Sequence, residues 1–146
     1  MRSQINLKPN TMTKLNSGDT YTESVQFSQA NVEIFAQITG DNNPVHLDPI
    51  YAAKTPFGKP IVHGFYAGSI FSKVFGTSWP GEGTIYLYQD MSFRAPVYVD
   101  CEYIAFFEIM DVQPEKHRAT INCQLKDKEG NIVITGQAKL LHKERL

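Results

Sequence analysis

Between residues 39 and 52 the chain reads "TGDNNPVHLDPIYA", a segment with an acid at Asp41, amides at Asn42 and Asn43, a proline at Pro44, a histidine at His46 and a second acid at Asp48. Histidine changes protonation near neutrality, and a nearby carboxylate can orient its ring or share a proton transfer. A loop stiffened by Pro44 can aim Asp41 and His46 at one point, and Asn42 and Asn43 can hold loop conformations and hydrogen-bond neighbouring polar groups. The chemistry on offer is general acid–base work on a small substrate or a water. The commonplace alternative is that Asp-Asn-Asn-Pro is simply good turn composition.

A second stretch, "IVHGF" at residues 61–65, precedes a long apolar run. If a helix starts there, His63 caps it and the Gly64 N–H is one of the first backbone donors, which have no partner inside the helix. Such a donor, with the helix dipole behind it, favours negative charge and would stabilise an oxyanion developing in a reaction. Close packing is the plainer reason for a glycine at that place.

The elements that must carry these groups follow from pattern. "TYTESVQF" (20–27) alternates polar and apolar residues as a strand does. "SQANVEIFAQITG" predicts a helix with Ser28 as N-cap and Gly40 as the residue that ends it. "DPIYAAKT" (48–55) predicts a short helix with Asp48 as its cap and Pro49 at its first position. From His63 to Phe75 the chain is apolar on all sides with small residues interspersed, which predicts a buried central helix. Strands follow: "TIYLYQDMSFRAPVY" (84–98), bent near Asp90 or Pro96, then 102–113, 118–128 and 131–143, with tight turns at "QPEKH" and "KEGN". The expected architecture is α+β, an antiparallel β-sheet wrapped around a central buried helix, with an additional helix-loop segment carrying the polar motif. Residues 1–18 read as a polar extension, the first ten of them mobile or along the surface, and residues 19–146 as one domain.

The 146 residues carry a net charge of -1 with 42% apolar and 20% charged side chains. This balance gives no electrostatic reason to expect nucleic acid or an anionic membrane. No apolar run reaches the length of a membrane span, and the first residues lack the apolar core of a secretory signal. Cys101 and Cys123 have no zinc-type spacing and are expected to be two buried, reduced thiols, which suits a cytoplasmic protein. His117 and His142 are assigned to the surface. Tyr86, Tyr88, Phe93, Phe106 and Phe107 are expected in a core or an interface. There is no phosphate loop, no dinucleotide fingerprint and no nucleophile elbow. Ser69 and Ser72 lie inside the apolar helix, where a hydroxyl usually bonds back to its own backbone.

Taken together, "FAQITGDNNPVHLDPIYA", "PFGKPIVHGFYAGSIFS", "GTIYLYQDMSFRAPVYV" and "ITGQAKL" resemble the R-specific enoyl-CoA hydratases of the MaoC-like dehydratase family, over nearly all of the chain from Val25 to Leu140. The resemblance implies a hotdog fold. It also implies hydration of a trans-2-enoyl thioester to an (R)-3-hydroxyacyl thioester, with no metal and no redox cofactor, the substrate being carried as a CoA thioester. Transferred by position, the catalytic pair is Asp41 and His46, with Gly64 as the donor to the thioester carbonyl oxygen. Asn43 is the asparagine that fixes the loop, and Ser72 a helix serine placed to bond the catalytic aspartate. His63, Phe65, Tyr66 and Trp79 are candidates for substrate contact, and Ile70 and Phe71 for closing the acyl tunnel. A single unit of this fold leaves a sheet edge and apolar surface exposed, so a homodimer or dimer-based oligomer is expected. The alternatives are a dehydratase for a branched or functionalised acyl-CoA, a thioesterase on the same fold, and a non-catalytic acyl-thioester-binding protein. Hotdog thioesterases usually carry an acid on or near the central helix, and "HGFYAGSIFSKVFG" has none.

Overall fold

A computed structural model describes residues 12–146, and the surface run expected for the first ten residues lies outside them. Strand β1 (Thr20–Val25) is followed by helix α1 (Gln29–Thr39) and two short helices, α2 (Pro44–Leu47) and α3 (Pro49–Ala53). Helix α4 (Gly64–Lys73) continues into a π-helical turn at Val74–Ser78. Five strands complete the chain: β2 (Ile85–Gln89), β3 (Ser92–Phe93), β4 (Tyr103–Gln113), β5 (Arg118–Asp127) and β6 (Ile132–Leu141).

The strands form one antiparallel sheet in the order β1-β4-β5-β6-β2, with β3 also paired to β6. In the long strands side chains alternate between the two faces, as a two-residue period requires. Tyr103, Ala105, Phe107 and Ile109 of β4 point to the same interior as Ala119, Ile121, Cys123 and Leu125 of β5. The register sets Phe107 opposite Cys123 and Ile109 opposite Ile121. Phe71 of α4 and Phe75 of the following turn meet the Phe107 ring edge-on, with centroids 5.6 and 5.2 Å away. This is the arrangement aromatic quadrupoles prefer, and it seats the helix on the sheet.

The break between β2 and β3 falls at Asp90, one of the two places expected. There the Asp90 N–H donates to the Gln137 carbonyl, and the Asp90 carboxylate accepts from the Gln137 N–H at 2.8 Å. The kink brings Asp90 so close to Gly136 that a Cβ on residue 136 would overlap the Asp90 carbonyl oxygen. Close backbone approach is what a glycine inside a strand often marks.

Several sequence expectations need correction. Helix α4 is central but buried on one face only: Ala67, Gly68, Ile70 and Phe71 face the core, while Phe65, Ser69 and Ser72 are exposed. The apolar Phe65 on the other face is left uncovered by this chain. Cys101 is exposed and Cys123 buried, both as free thiols. His142 is buried, because its Nε2–H donates to the Glu82 carbonyl at 2.9 Å while Nδ1 accepts from the Glu144 and Arg145 N–H groups. Of the aromatics expected in a core or an interface, Phe107 is core, whereas Tyr86, Tyr88 and Phe93 are exposed and so lie outside the core of this chain. Leu15, within the polar extension, is buried, and its N–H donates to the Arg145 carbonyl. Among the described residues no helix is long and apolar enough to cross a membrane.

Candidate active site

The helix-loop segment is built by caps. The Ser28 side chain accepts from the Asn31 N–H to start α1, and Gly40, at φ 78°, ends it in a left-handed conformation that glycine adopts at no steric cost. Asn43 then caps α2, its side-chain oxygen accepting from the Val45 N–H at 3.2 Å, with Pro44 at the first helical position. Asp48 caps α3 by accepting from the Ile50 and Tyr51 N–H groups. The polar segment expected as a loop is therefore partly a one-turn helix, and it carries His46.

His46 is buried at 8% exposure. Its Nδ1 lies 2.8 Å from the Ile61 carbonyl oxygen, an acceptor only, so Nδ1 carries the proton. In the neutral ring Nε2 is then a bare lone pair, the form a proton acceptor needs. Burial holds the His46 pKa below its ordinary value of about 6.5. The Ile61 carbonyl opposes that shift, the neighbouring His63 adds to it, and Asp41 opposes it.

Asp41 sits between the end of α1 and α2. Its carboxylate accepts from the Asn43 N–H at 3.3 Å, which ties the acid to the residue that caps the next helix. The carboxylate and one nitrogen of each of His46 and His63 lie within 4.8 Å of one another. An Asp/His/His set can suit a metal ion, but here the two imidazoles are stacked, centroids 3.9 Å apart and planes 30° from parallel. Nitrogen lone pairs lie in the ring plane, so stacked rings send them side by side and not to a common point.

His46, Gly64 and Phe65 line one cavity of about 480 Å³, whose other walls include Phe57, Ile61, Phe93, Arg94 and Ile134. Gly64 opens α4, so its N–H has no partner within the helix. A Cβ at this position would lie 2.8 Å from the Phe93 ring, so close packing and an accessible N–H both call for glycine here. The cavity is thus mostly apolar, with His46 and the helix-start residue Gly64 in its wall, and Asp41 is not among its lining residues.

The other expected residues divide. Phe65 lines the cavity. His63 is buried at 2% exposure beneath His46 and is not in the wall. Tyr66 packs between Phe27 and Phe35, holding α4 to α1. Trp79 is buried and stacked on Tyr21 with centroids 5.7 Å apart, and Ile70 and Phe71 are core. Ser72 is exposed on α4 about 12 Å along the axis from Gly64 at 1.5 Å per residue and is not a hydrogen-bond partner of Asp41 in this chain. Phe57, Phe93 and Arg94 were missed. Phe57 stands far along the chain from the adjacent pair Phe93 and Arg94, and only folding brings them to one cavity. The Ile61 carbonyl, which sets the His46 tautomer, is a backbone group and has no sequence signal at all.

The chain is 42% identical over 115 residues to the (R)-specific enoyl-CoA hydratase of Aeromonas caviae, covering 79% of this chain and 86% of that protein. It is 40% identical over 113 residues to the 3-hydroxybutyryl-CoA dehydratase of Methylorubrum extorquens, covering 77% and 71%. Among solved structures, the (R)-hydratase from A. caviae involved in PHA biosynthesis superposes with a TM-score of 0.84 at 39% identity, over 88% of this chain and 97% of that one. An R-hydratase from Pseudomonas aeruginosa superposes with a TM-score of 0.84 at 33% identity, over 90% and 84%. The sheet and central helix are those of the hotdog fold expected from the resemblance. Residues 9–131 match the family described as "MaoC like domain", and this chain belongs to it.

Proposed function

We propose that the protein is a hydro-lyase that reversibly hydrates trans-2-enoyl-CoA to (R)-3-hydroxyacyl-CoA. The observation that carries this is His46 in the wall of the cavity beside the helix-start residue Gly64: its Nδ1–H is bonded to the Ile61 carbonyl, and one of its nitrogens lies within 4.8 Å of the Asp41 carboxylate. Asp41 and His46 hold one water between them. Its oxygen adds to C3 of the enoyl thioester, Nε2 of His46 takes a proton from it, and the pair returns a proton to C2, leaving the enzyme as it began. Negative charge that builds on the thioester oxygen during addition is met by the Gly64 N–H, a donor already in place before reaction. Addition of water needs no redox partner, and this chemistry asks for no metal. The relatives named for enoyl-CoA hydration and 3-hydroxybutyryl-CoA dehydration support the substrate class and, through the first, the R configuration.

The test is loss of the enoyl-thioester absorbance with crotonyl-CoA, run beside Asp41→Asn. Loss of the band without free thiol, abolished in the variant, supports hydration by this pair. Thiol release without hydration would make the protein a thioesterase, and no change across short, long and branched enoyl-CoAs would leave a binding protein.

We further infer that the protein acts as a homodimer or dimer-based oligomer in the cytoplasm. Strand β2 is a sheet edge whose Ile85, Tyr86, Leu87 and Tyr88 are all exposed, and it borders the uncovered Phe65 and Ser69 of α4. An apolar edge of this kind pairs readily with another strand. A second copy supplies one through a two-fold interface that continues the sheet.

A further inference from the structure

His63 touches each part of the catalytic arrangement without entering the cavity. It precedes Gly64 directly and serves as the N-cap residue of α4, yet its side chain makes no capping bond. Its Nε2 lies 3.1 Å from the backbone carbonyl oxygen of Asp41, so Nε2 carries the proton and donates it. Its ring lies under His46 and against Phe35 of α1, centroids 3.9 and 4.8 Å away. Nδ1 is buried with no hydrogen-bond partner among the described residues. A buried polar atom left without a partner is costly and calls for an explanation. Phenylalanine would fill this stack without that cost, and what the histidine adds to it is the Nε2–H bonded to Asp41.

We propose that His63 is a positioning residue: its Nε2–H holds the backbone of Asp41, and its ring face holds His46, so that one side chain fixes the spacing between acid and base. The proposal rests on the hydratase reading for its kinetic consequences, though not for its geometry. The second consequence is electrostatic. The titratable groups facing His46 are His63 across the stack and Asp41 from the loop before α2, and Arg94 shares the cavity wall from the segment after β3. A proton on His46 would sit against the His63 ring, which is itself protonatable, so His63 disfavours the charged form of His46 and helps to keep Nε2 bare.

The experiment pairs His63→Phe, which keeps a ring in the stack and removes the donor, with His63→Gln, which keeps an N–H donor and removes the ring. Positioning predicts that His63→Phe lowers kcat roughly 10- to 100-fold with KM changed less than about 2-fold, a size that small misplacements reach. His63→Gln recovers part of that loss. In both variants the acid limb of the kcat–pH profile moves to higher pH, because the second imidazole is gone. Wild-type kcat and an unmoved profile in both variants would overturn the proposal. So would an equal kcat loss in both with the profile unmoved, which is what a purely structural role produces. Should neither variant fold, nitrogen-15 NMR of the wild-type histidines decides: an Nε2–H tautomer for His63 supports the proposal and an Nδ1–H tautomer overturns it. That spectrum needs no turnover, so it separates failure of this proposal from failure of the hydratase assignment.

Discussion

At the scale of single residues the proposed chemistry depends on the protonation state of His46. His46 donates from Nδ1 to the Ile61 carbonyl and so offers Nε2 as a base. Replacing it with glutamine, or Asp41 with asparagine, is expected to lower kcat for hydration by about 10²- to 10⁴-fold, the usual worth of a positioned acid or base. Circular dichroism should show the fold unchanged. The sign of the pH dependence follows from burial, which lowers the His46 pKa. The neutral, active form therefore persists as pH falls past about 6.5, the ordinary histidine value, and the acid limb of kcat/KM should lie below that pH. Stability runs the same way. The unfolded chain takes up the His46 proton first on acidification, so this contribution is present above pH about 6.5 and is lost as pH falls through the folded pKa. A stability–pH curve with no decline attributable to His46, compared against His46→Gln, would contradict this.

At the scale of elements, caps decide where the catalytic groups stand. Helix α2 is one turn long and cannot persist by propensity. It is held by the Asn43 cap, by Pro44, and by the Gln29 side-chain N–H that donates to the His46 carbonyl at 2.9 Å. Asn43→Ala removes the cap and frees the end of the turn that carries His46. About 1 kcal/mol of stability is the expected loss, measurable by urea denaturation, and kcat should fall by more than the fraction unfolded explains. Equal losses in both would mean that the cap is merely structural. Helix α4 shows the same dependence from the other side. Gly64 and Gly68 let Phe93 and Met91 approach its backbone, and this close approach brings the start of the helix into the cavity wall.

At the scale of the whole molecule the exposed apolar surface and the thiols are the informative features. Leu87 is 43% exposed in the middle of the β2 edge. A lysine there puts charge where a second sheet would pair, so Leu87→Lys should shift light-scattering mass toward a monomer of 16.5 kDa while the wild type stays at twice that or more. A wild-type monomer would end the assembly proposal. The two cysteines differ in kind: Cys101 is exposed, whereas burial first of all pushes the Cys123 thiol up to about 12. A thiol-reactive dye should label one site quickly in the native protein and the second only on unfolding, since the thiolate is the nucleophile. Rapid labelling of both would show that the sheet opens around Cys123.

Much of this was legible in the sequence because the signals are local. The Ser28 and Asp48 caps, the left-handed Gly40 and the start of the central helix at His63 and Gly64 rest on neighbours within a few positions, where backbone sterics and orphan N–H groups set the outcome. The motif residues Asp41, Asn43 and His46 could be named for the same reason. What the tertiary structure alone decided depends on contacts between distant segments. The Ile61 carbonyl selects the His46 tautomer, and His63 turns under His46 instead of into the cavity wall. Trp79 and Tyr66 are drawn into packing, while Phe57, Phe93 and Arg94 converge on the cavity. His142 is buried by hydrogen bonds to three backbone groups of other residues. Side-chain type states what a residue can do, but burial and hydrogen-bond partners determine which of those things it does, and both arise only when the sheet closes on the helix.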